Sequence, residues 1–393
     1  MNTKSPTFSL PSPQNVADPA SWARRILFVV TGLTPAVVTE SLYALAIARK
    51  PAFIPTEIHV LTTGKGAKLA TRQLFAAAGG HFHRIVAEYP VLGDIRFKAN
   101  HITVIKDQSG RVLDDITTLQ ENQDAADAIT DAVRRYTLDE NTALHVSLAG
   151  GRKTMGFFAG YALSLFGRPQ DVLSHVLVPP GIERHAEFYF PSTKQGTLIS
   201  ADGQDIVSAT VDVLLAEIPV VRLRHGIPPA LISGAGTYRS VVTAAQASLG
   251  APSIRLDIEK RTLYCANHPV MLPNTQLALY LWLAERIKSG LADSHVVGRG
   301  SDTAGYLSSY RHFVPEMSGE YEKVENGLKR TIEAAELRDW LREKVSRTNS
   351  VLKKTLGQEL SAPYLITTFG KRPTLQYGLQ LNNADILIQR QRG

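Results

Sequence analysis

The sequence predicts an α/β fold with a mainly parallel sheet, followed by an α+β domain. Short β-branched runs alternate with amphipathic helical patterns through the first half of the chain, and such alternation is typical of strands joined by crossover helices. Glycine-containing turns follow three of the predicted strands. The alternation ends after about residue 215, where hairpin patterns and separate helices indicate a second domain.

The elements of the first half follow from this pattern in order. Thr34 is a natural N-cap and Pro35 suits the first helical position, so a helix should begin there. We expect strands at residues 25–30, 57–61, 102–105, 143–148 and 175–178, and helices after Pro35, after Gly66, at 125–136 and at 154–166. Because helices join consecutive strands, the strands should run parallel in a sheet covered on both faces.

The second half predicts a less uniform set of elements. Pro219, Pro228 and Pro229 indicate a linker over residues 216–250. Beyond it we expect a hairpin at 254–257 and 262–264, a helix at 275–287 capped by Asn274, a less regular stretch at 289–326, helices at 328–341 and 346–356, and a closing hairpin at 364–368 and 375–379. The predicted organisation is a disordered lead-in at 1–21, a first domain at 22–215, the linker, and a second domain at 251–393.

Composition restricts the class of protein without naming its ligand. The 393 residues exceed a comfortable single domain, and a formal net charge of +7 is compatible with polyanionic partners. The single cysteine, Cys265, excludes an intrachain disulfide framework and fits a reducing cytosol. No apolar run approaches the ~20 residues that span a bilayer. We therefore expect a cytoplasmic protein that does not contact membranes.

One stretch, 145–155, has the pattern of an anion site. A predicted strand ends at Gly150 and Gly151, two cations follow, and a long apolar helix begins at Thr154. Free backbone N–H groups and the positive end of the helix dipole favour an anion at such a helix start, and Arg152 and Lys153 would add two formal charges. The stretch is not a P-loop, because Arg152 stands where that motif needs glycine. The alternative is an ordinary strand-to-helix turn whose cations face water.

The three glycine turns, at Gly32, Gly64 and Gly150–Gly151, all follow the carboxyl ends of predicted strands. In open parallel sheets ligands bind beyond those ends, so the turns predict one shared cleft. Thr31 and Thr34 would then place hydroxyls near the anion site, although Thr34 could serve only as a cap. The eleven histidines form no pair at metal-ligand spacing, so no metal site is predicted.

The closing hairpin has a basic tip at Lys371 and Arg372, and it follows a helix bearing Arg347, Lys353 and Lys354. A helix followed by a basic β-wing is the geometry of a winged helix-turn-helix, in which the helix enters the DNA major groove and the wing contacts phosphates. The alternative is a structural or dimerising module of the same shape. DNA binding by these five residues is therefore one of two open interpretations.

Several sequence blocks follow one another in the first half of the chain: TGLTPAVVTE at 31–40, LTTG at 61–64, DITT at 115–118, SLAGGRKTM at 147–155, ALSL at 162–165 and LSHVLV at 173–178. In this order they resemble CRISPR-associated Rossmann-fold (CARF) proteins, in particular their ring-nuclease group. The resemblance covers roughly residues 22–195 and implies a Rossmann-like fold for the first domain. The second domain more weakly resembles the winged helix of response regulators.

The resemblance implies a homodimer that binds cyclic tetra-adenylate and cuts it to linear di-adenylates with 2′,3′-cyclic phosphate ends, without metal or other cofactor. Lys153 matches the family's catalytic lysine, and Thr34 stands where the best-known members have serine. The implied ligand-binding residues are Thr31, Gly32, Thr62, Thr63, Gly64, Gly150, Gly151, Arg152 and Thr154. The alternative is a transcriptional regulator that senses the ring without cutting it and binds DNA through the winged helix.

Overall fold

The computed structural model describes residues 18–390, apart from 78, 149, 184, 201, 235, 291–295, 299–302 and 372–374. It comprises two compact units. Unit 1 runs to Arg224 and includes the segment Ala235–Tyr238, and unit 2 contains His225–Gly234 and the chain from Arg239 onward. No helix in the described part of the chain is long and apolar enough to cross a membrane.

Unit 1 is built on a mainly parallel sheet, as the sequence predicts. Its strands are β1 Arg24–Val30, β2 Glu57–Thr62, β3 Ile102–Val104, β4 Thr142–Leu148, β5 Val172–Leu177, β6 Thr197–Ile199, β7 Asp205–Val207 and β8 Leu214–Ile218. Within the described residues one sheet has the order β3-β2-β1-β4-β5-β8, in which β8 alone is antiparallel to its neighbour. Strands β6 and β7 pair separately as a short antiparallel ribbon.

Helices cover both faces of this sheet, which explains why the central strands are apolar along their length. The helices of unit 1 are α1 Ala36–Tyr43, α2 Gly64–Leu74, α3 His81–Glu88, α4 Leu119–Tyr136 and α5 Lys153–Phe166. In β1, residues 26–30 are all buried. The last pairs of the register are Val30 with Leu61 and Val30 with Leu148. Because β1, β2 and β4 end at one level, the turns that follow them lie at one edge of the sheet.

The sequence-based prediction differs from unit 1 at identifiable points. Pro35, and not Thr34, is the N-cap of α1, and no side chain caps that helix. Helix α4 begins six residues earlier than predicted, because Thr118 and Glu121 form a capping box that closes its first turn. The three-residue strands β6 and β7 were not predicted, since such short elements leave no periodicity to detect. Of the predicted disordered lead-in, residues 1–17 lie outside the described residues, and Pro19–Ser21 forms a 3₁₀ turn.

Unit 2 combines helices with two small sheets. Its helices are α6 Pro229–Ser233, α7 Tyr238–Ser248, α8 Asn274–Lys288, α9 Ala304–Tyr310, α10 Gly319–Glu333, α11 Leu337–Leu356 and α12 Gln358–Ser361. Its strands are β9 Ile254–Asp257, β10 Thr262–Cys265, β11 His268–Val270, β12 Val296–Val297, β13 Thr367–Phe369, β14 Gln376–Gly378 and β15 Ile386–Gln389. Strand orders in the described residues are β11-β10-β9-β15 and β12-β14-β13.

Both predicted hairpins of the second half form, since β9 pairs antiparallel with β10 and β13 with β14. The segment 216–250, predicted as a linker, holds the end of β8 together with α6 and α7. The break between α10 and α11 falls at Ala335, whose φ is +59°. The sequence predicts this break between 341 and 346, so the predicted boundary between the two helices is wrong. Pro273, and not Asn274, is the N-cap of α8. The less regular stretch holds α9 and the start of α10.

Candidate functional site

The turn after β1 and the turn after β4 touch through their glycines. A Cβ built on Gly32 would lie 2.6 Å from the Cα of Gly151, closer than side-chain carbons approach backbone. Gly150 and Gly151 have φ values of +92° and +87°, a backbone region that glycine adopts without steric cost. The glycines therefore let two strand ends approach to backbone contact.

Hydroxyl groups beneath these turns hold them in shape. Thr31 Oγ1 donates to the carbonyl of Thr34 at 3.2 Å, and Thr62 Oγ1 donates to the carbonyl of Gly32 at 3.3 Å. Both threonines are fully buried. The sequence-based prediction assigned them to ligand binding, and the structure places their hydroxyls on the backbone of the first turn.

The turn after β2 is likewise occupied with local contacts. Thr63 caps α2 by accepting from the Gly66 N–H at 3.4 Å. The N–H of Gly64 donates to the carbonyl of Leu113 at 2.7 Å. The two residues thus position the start of α2 beside the first turn.

Thr34 and Lys153 line one cleft of about 790 Å³, together with Gly150 and Gly151. Both side chains are exposed, and neither makes a hydrogen bond or ion pair with the residues that the structure describes. Lys153 is the first residue of α5, whose N-cap, Arg152, makes no side-chain capping bond. The N–H groups of that first turn and the Lys153 ammonium thus present positive charge at one end of the cleft. Thr154 is the next residue of α5 and is exposed.

Arg152 takes a different direction from its neighbour. Its Nε and Nη2 donate to the two carboxylate oxygens of Asp115 at 3.2 and 2.9 Å, and these bonds lower the pKa of Asp115. Arg152 and Asp115 line a second cleft of about 360 Å³, which shares Leu33, Thr34 and Gly151 with the first. The predicted pair of ligand cations is therefore divided between two clefts, and Arg152 already has an anionic partner.

The sequence-based prediction missed several other residues that line the larger cleft, among them Glu40, Gln73, His175, Glu183, His185 and Tyr189. Glu40 lies on α1 and is buried, and this burial together with Glu183 raises its pKa to about 8. Burial and the nearby Glu40 raise the pKa of Tyr189 to about 12. A signal for Glu40 did exist, because it is an acidic residue among the apolar positions Val37, Val38 and Leu42.

The predicted DNA-binding residues lie in unit 2. Arg347 pairs with Glu343 at 2.6 Å on the same face of α11. Lys353 and Lys354 are exposed in the last turn of that helix, and Lys371 is exposed just after β13. Arg372 lies outside the described residues. Among those described, no group of three or more His, Cys, Asp or Glu could hold a metal ion.

The fold and the cleft define an α/β protein with a cationic helix start at the carboxyl edge of a parallel sheet. The chain belongs to the CRISPR-associated protein NE0113 family, whose model matches residues 34–250. A solved structure of Csm6 from Enterococcus italicus, bound to cyclic hexa-2′-fluoro-hexa-dAMP, is similar at 12% identity with a TM-score of 0.25. That alignment covers 84% of this chain and 61% of the Csm6 chain. No curated protein matches.

Proposed function

We propose that the protein is a metal-independent ring nuclease that binds cyclic tetra-adenylate and cleaves it to linear di-adenylates with 2′,3′-cyclic phosphate ends. The observation that carries this proposal is the shared cleft, in which Lys153 at the start of α5 accompanies the hydroxyl-bearing turn at Thr34. Membership of a CRISPR-associated family supports a ligand made in CRISPR defence. Cleavage of that ligand would switch off the defence signal.

The chemistry proposed needs no nucleophile from the protein. A ribose 2′-oxygen attacks the adjacent phosphorus, the bond to the 5′-oxygen breaks, and the 2′-hydroxyl proton passes to solvent while the leaving oxygen is protonated. The protein holds the attacking oxygen in line with the leaving oxygen and stabilises the charge that grows on the phosphorane. Lys153 and the N–H groups at the start of α5 supply positive charge there. The Thr34 hydroxyl, which lines the same cleft, would donate to a phosphate oxygen.

We also propose that the active form is a homodimer. Leu33, in the lining of both clefts, is 62% exposed, and Phe157 on α5 is 60% exposed. Large apolar side chains beside a site are commonly covered by a partner. A second copy related by a two-fold axis would cover them and present a second Lys153 to a ring of four nucleotides. Sedimentation of the purified protein with and without the ring tests this, and a monomer in both conditions would contradict it.

The enzyme proposal is tested by incubating the protein with cyclic tetra-adenylate in EDTA and resolving the products by chromatography. We expect linear di-adenylates, and a fall in cleavage rate of ~10²–10³-fold in Lys153→Ala, the range for loss of one group that stabilises transition-state charge. Lys68→Ala is the matched control, because Lys68 is an exposed lysine of α2 outside both clefts. An intact ring after long incubation with excess protein would reject the enzyme and leave a sensor.

The second candidate is a regulator that senses the ring and binds DNA through unit 2. It is favoured by the exposed Lys353 and Lys354 at the end of α11 and by the β13–β14 hairpin that follows them. Phosphate contacts release counterions, so binding should weaken steeply with salt, and Lys353→Ala/Lys354→Ala should reduce the salt slope by about 2. Fluorescence anisotropy with duplex DNA measures this. Absence of binding at low salt would indicate a structural module.

A further inference from the structure

Glu40 is a buried carboxyl that faces the larger cleft. It lies four residues after Ala36 on α1, about 6 Å further along the helix axis, and both residues line the cleft. Glu40 is only 6% exposed, and its carboxyl makes no hydrogen bond or ion pair within the described part of the chain. A buried carboxylate without a partner is costly, so the neutral acid is favoured, which agrees with the raised pKa of this group. A neutral carboxyl has one donor and one acceptor.

The lining of the cleft beside Glu40 is largely closed to solvent. Tyr189 lines the cleft too, is 3% exposed, and is stacked on His81 with ring centroids 3.3 Å apart and planes 6° from parallel. Oε1 of Gln73 is buried and accepts no hydrogen bond among the described residues, and an oxygen so enclosed is out of reach of a ligand in the cleft. A ligand group that pairs with Glu40 would therefore do so away from bulk water, where a hydrogen bond is stronger.

We propose that Glu40 recognises the amino-bearing edge of an adenine base that enters the cleft. The Glu40 O–H donates to a ring nitrogen, and its carbonyl oxygen accepts from the neighbouring amino group. The phosphate then lies at the Lys153 end of the cleft and the base at the Glu40 end. This inference rests on the proposed function, because the ring nucleotide supplies the base.

The experiment compares two rings. One is cyclic tetra-adenylate, and the other is the same ring built with unsubstituted purine, the base that remains when adenine loses its amino group. We expect wild type to bind the adenine ring at least ~10-fold more tightly, the effect of about one lost net hydrogen bond. Glu40→Leu should bind both rings equally. Glu40→Gln should keep the preference, since its amide also has a donor and an acceptor.

The outcomes separate the two proposals. If Glu40→Leu still prefers the adenine ring as strongly as wild type does, Glu40 does not recognise the base. If Glu40→Gln loses the preference with Glu40→Leu, the neutral-acid pairing is wrong. If wild type binds neither ring, the proposed function fails and this inference with it. Thermal melts of both variants without the ring check that they fold. If Glu40→Leu does not fold, the test rests on whether Glu40→Gln keeps the preference for the adenine ring.

Discussion

The contact between the two glycine turns makes Gly32→Ala a sharp test of how the cleft is built. The new Cβ would lie 2.6 Å from the Cα of Gly151 and 3.2 Å from its nitrogen. Ordinary van der Waals contact begins at 3.4 Å, so the turns must separate by roughly 0.8 Å. The atoms in conflict are backbone, so no rotamer change relieves it. We expect a loss of about 1–3 kcal/mol in the free energy of unfolding, as for other overpacked sites.

The same displacement should also slow cleavage. Thr34 follows the first turn and Lys153 follows the second, so separating the turns moves the two side chains apart. Misplacement by about 1 Å can cost a reaction ~10²-fold, because the attacking and leaving oxygens lose alignment. Chemical denaturation gives the stability change, and single-turnover cleavage of cyclic tetra-adenylate gives the rate.

Gly156→Ala is the matched control. Gly156 lies within α5, and a Cβ there would have no neighbour within 4 Å. Because alanine favours the helix by about 0.5–1 kcal/mol over glycine, this variant should be more stable than wild type and cleave at an unchanged rate. If Gly32→Ala unfolds and cleaves as wild type does, the two turns do not meet as described and the reasoning about the cleft fails.

Three further predictions concern buried groups. Glu40 has a raised pKa, so its contribution to stability is complete below the unfolded pKa of 4.5 and is lost as pH rises toward 8. Chemical denaturation at pH 5 and pH 9 should show that the free energy of unfolding of Glu40→Gln, relative to wild type, is higher at pH 9 than at pH 5. The same relative free energy at both pH values would refute this. Arg168 and Asp171 form an ion pair with side chains 3% and 0% exposed. Arg168→Ala should lower the free energy of unfolding by about 3–5 kcal/mol, because it strands a buried carboxylate; a loss below 1 kcal/mol would count against a buried pair. Burial raises the pKa of the Cys265 thiol, so a thiol reagent should label it only as unit 2 unfolds, and rapid labelling of the native protein would contradict its burial.

The parallel sheet and the edge at which the glycine turns meet could be predicted because the strands, turns and helices each have a local signal. A β-branched run, a glycine and an apolar helix were enough to place β1, β2 and β4 and the turns after them. Parallel topology then brings the carboxyl ends of the strands to one edge. The register, in which Val30 pairs with both Leu61 and Leu148, supplies the common level. Local pattern and global fold agree here.

The partners of the site residues could not be predicted, since they join positions far apart in the chain. Asp115 and Arg152 are separated by 37 residues, and Thr62 and Gly32 by 30. The sequence around Thr62 does not distinguish a hydroxyl that binds a ligand from one that donates to a backbone carbonyl. Glu40 was missed for a related reason, because an isolated acidic residue on a helix is usually solvated. Its apolar neighbours Val37, Val38 and Leu42 do indicate burial, and the structure confirms it, since Glu40 is 6% exposed.

Adjacent cations illustrate how the fold assigns different tasks to similar residues. Arg152 precedes α5, and its planar guanidinium matches the two oxygens of Asp115, a geometry that an ammonium cannot reproduce. The pair is half exposed, with 54% and 39% of the side chains accessible, so it positions the turn more than it stabilises the protein. Lys153 begins the helix, where a compact charge adds to the dipole. With Arg152 occupied by Asp115, the positive charge that the proposed ligand phosphate would meet in the larger cleft rests on Lys153 and the uncapped helix start.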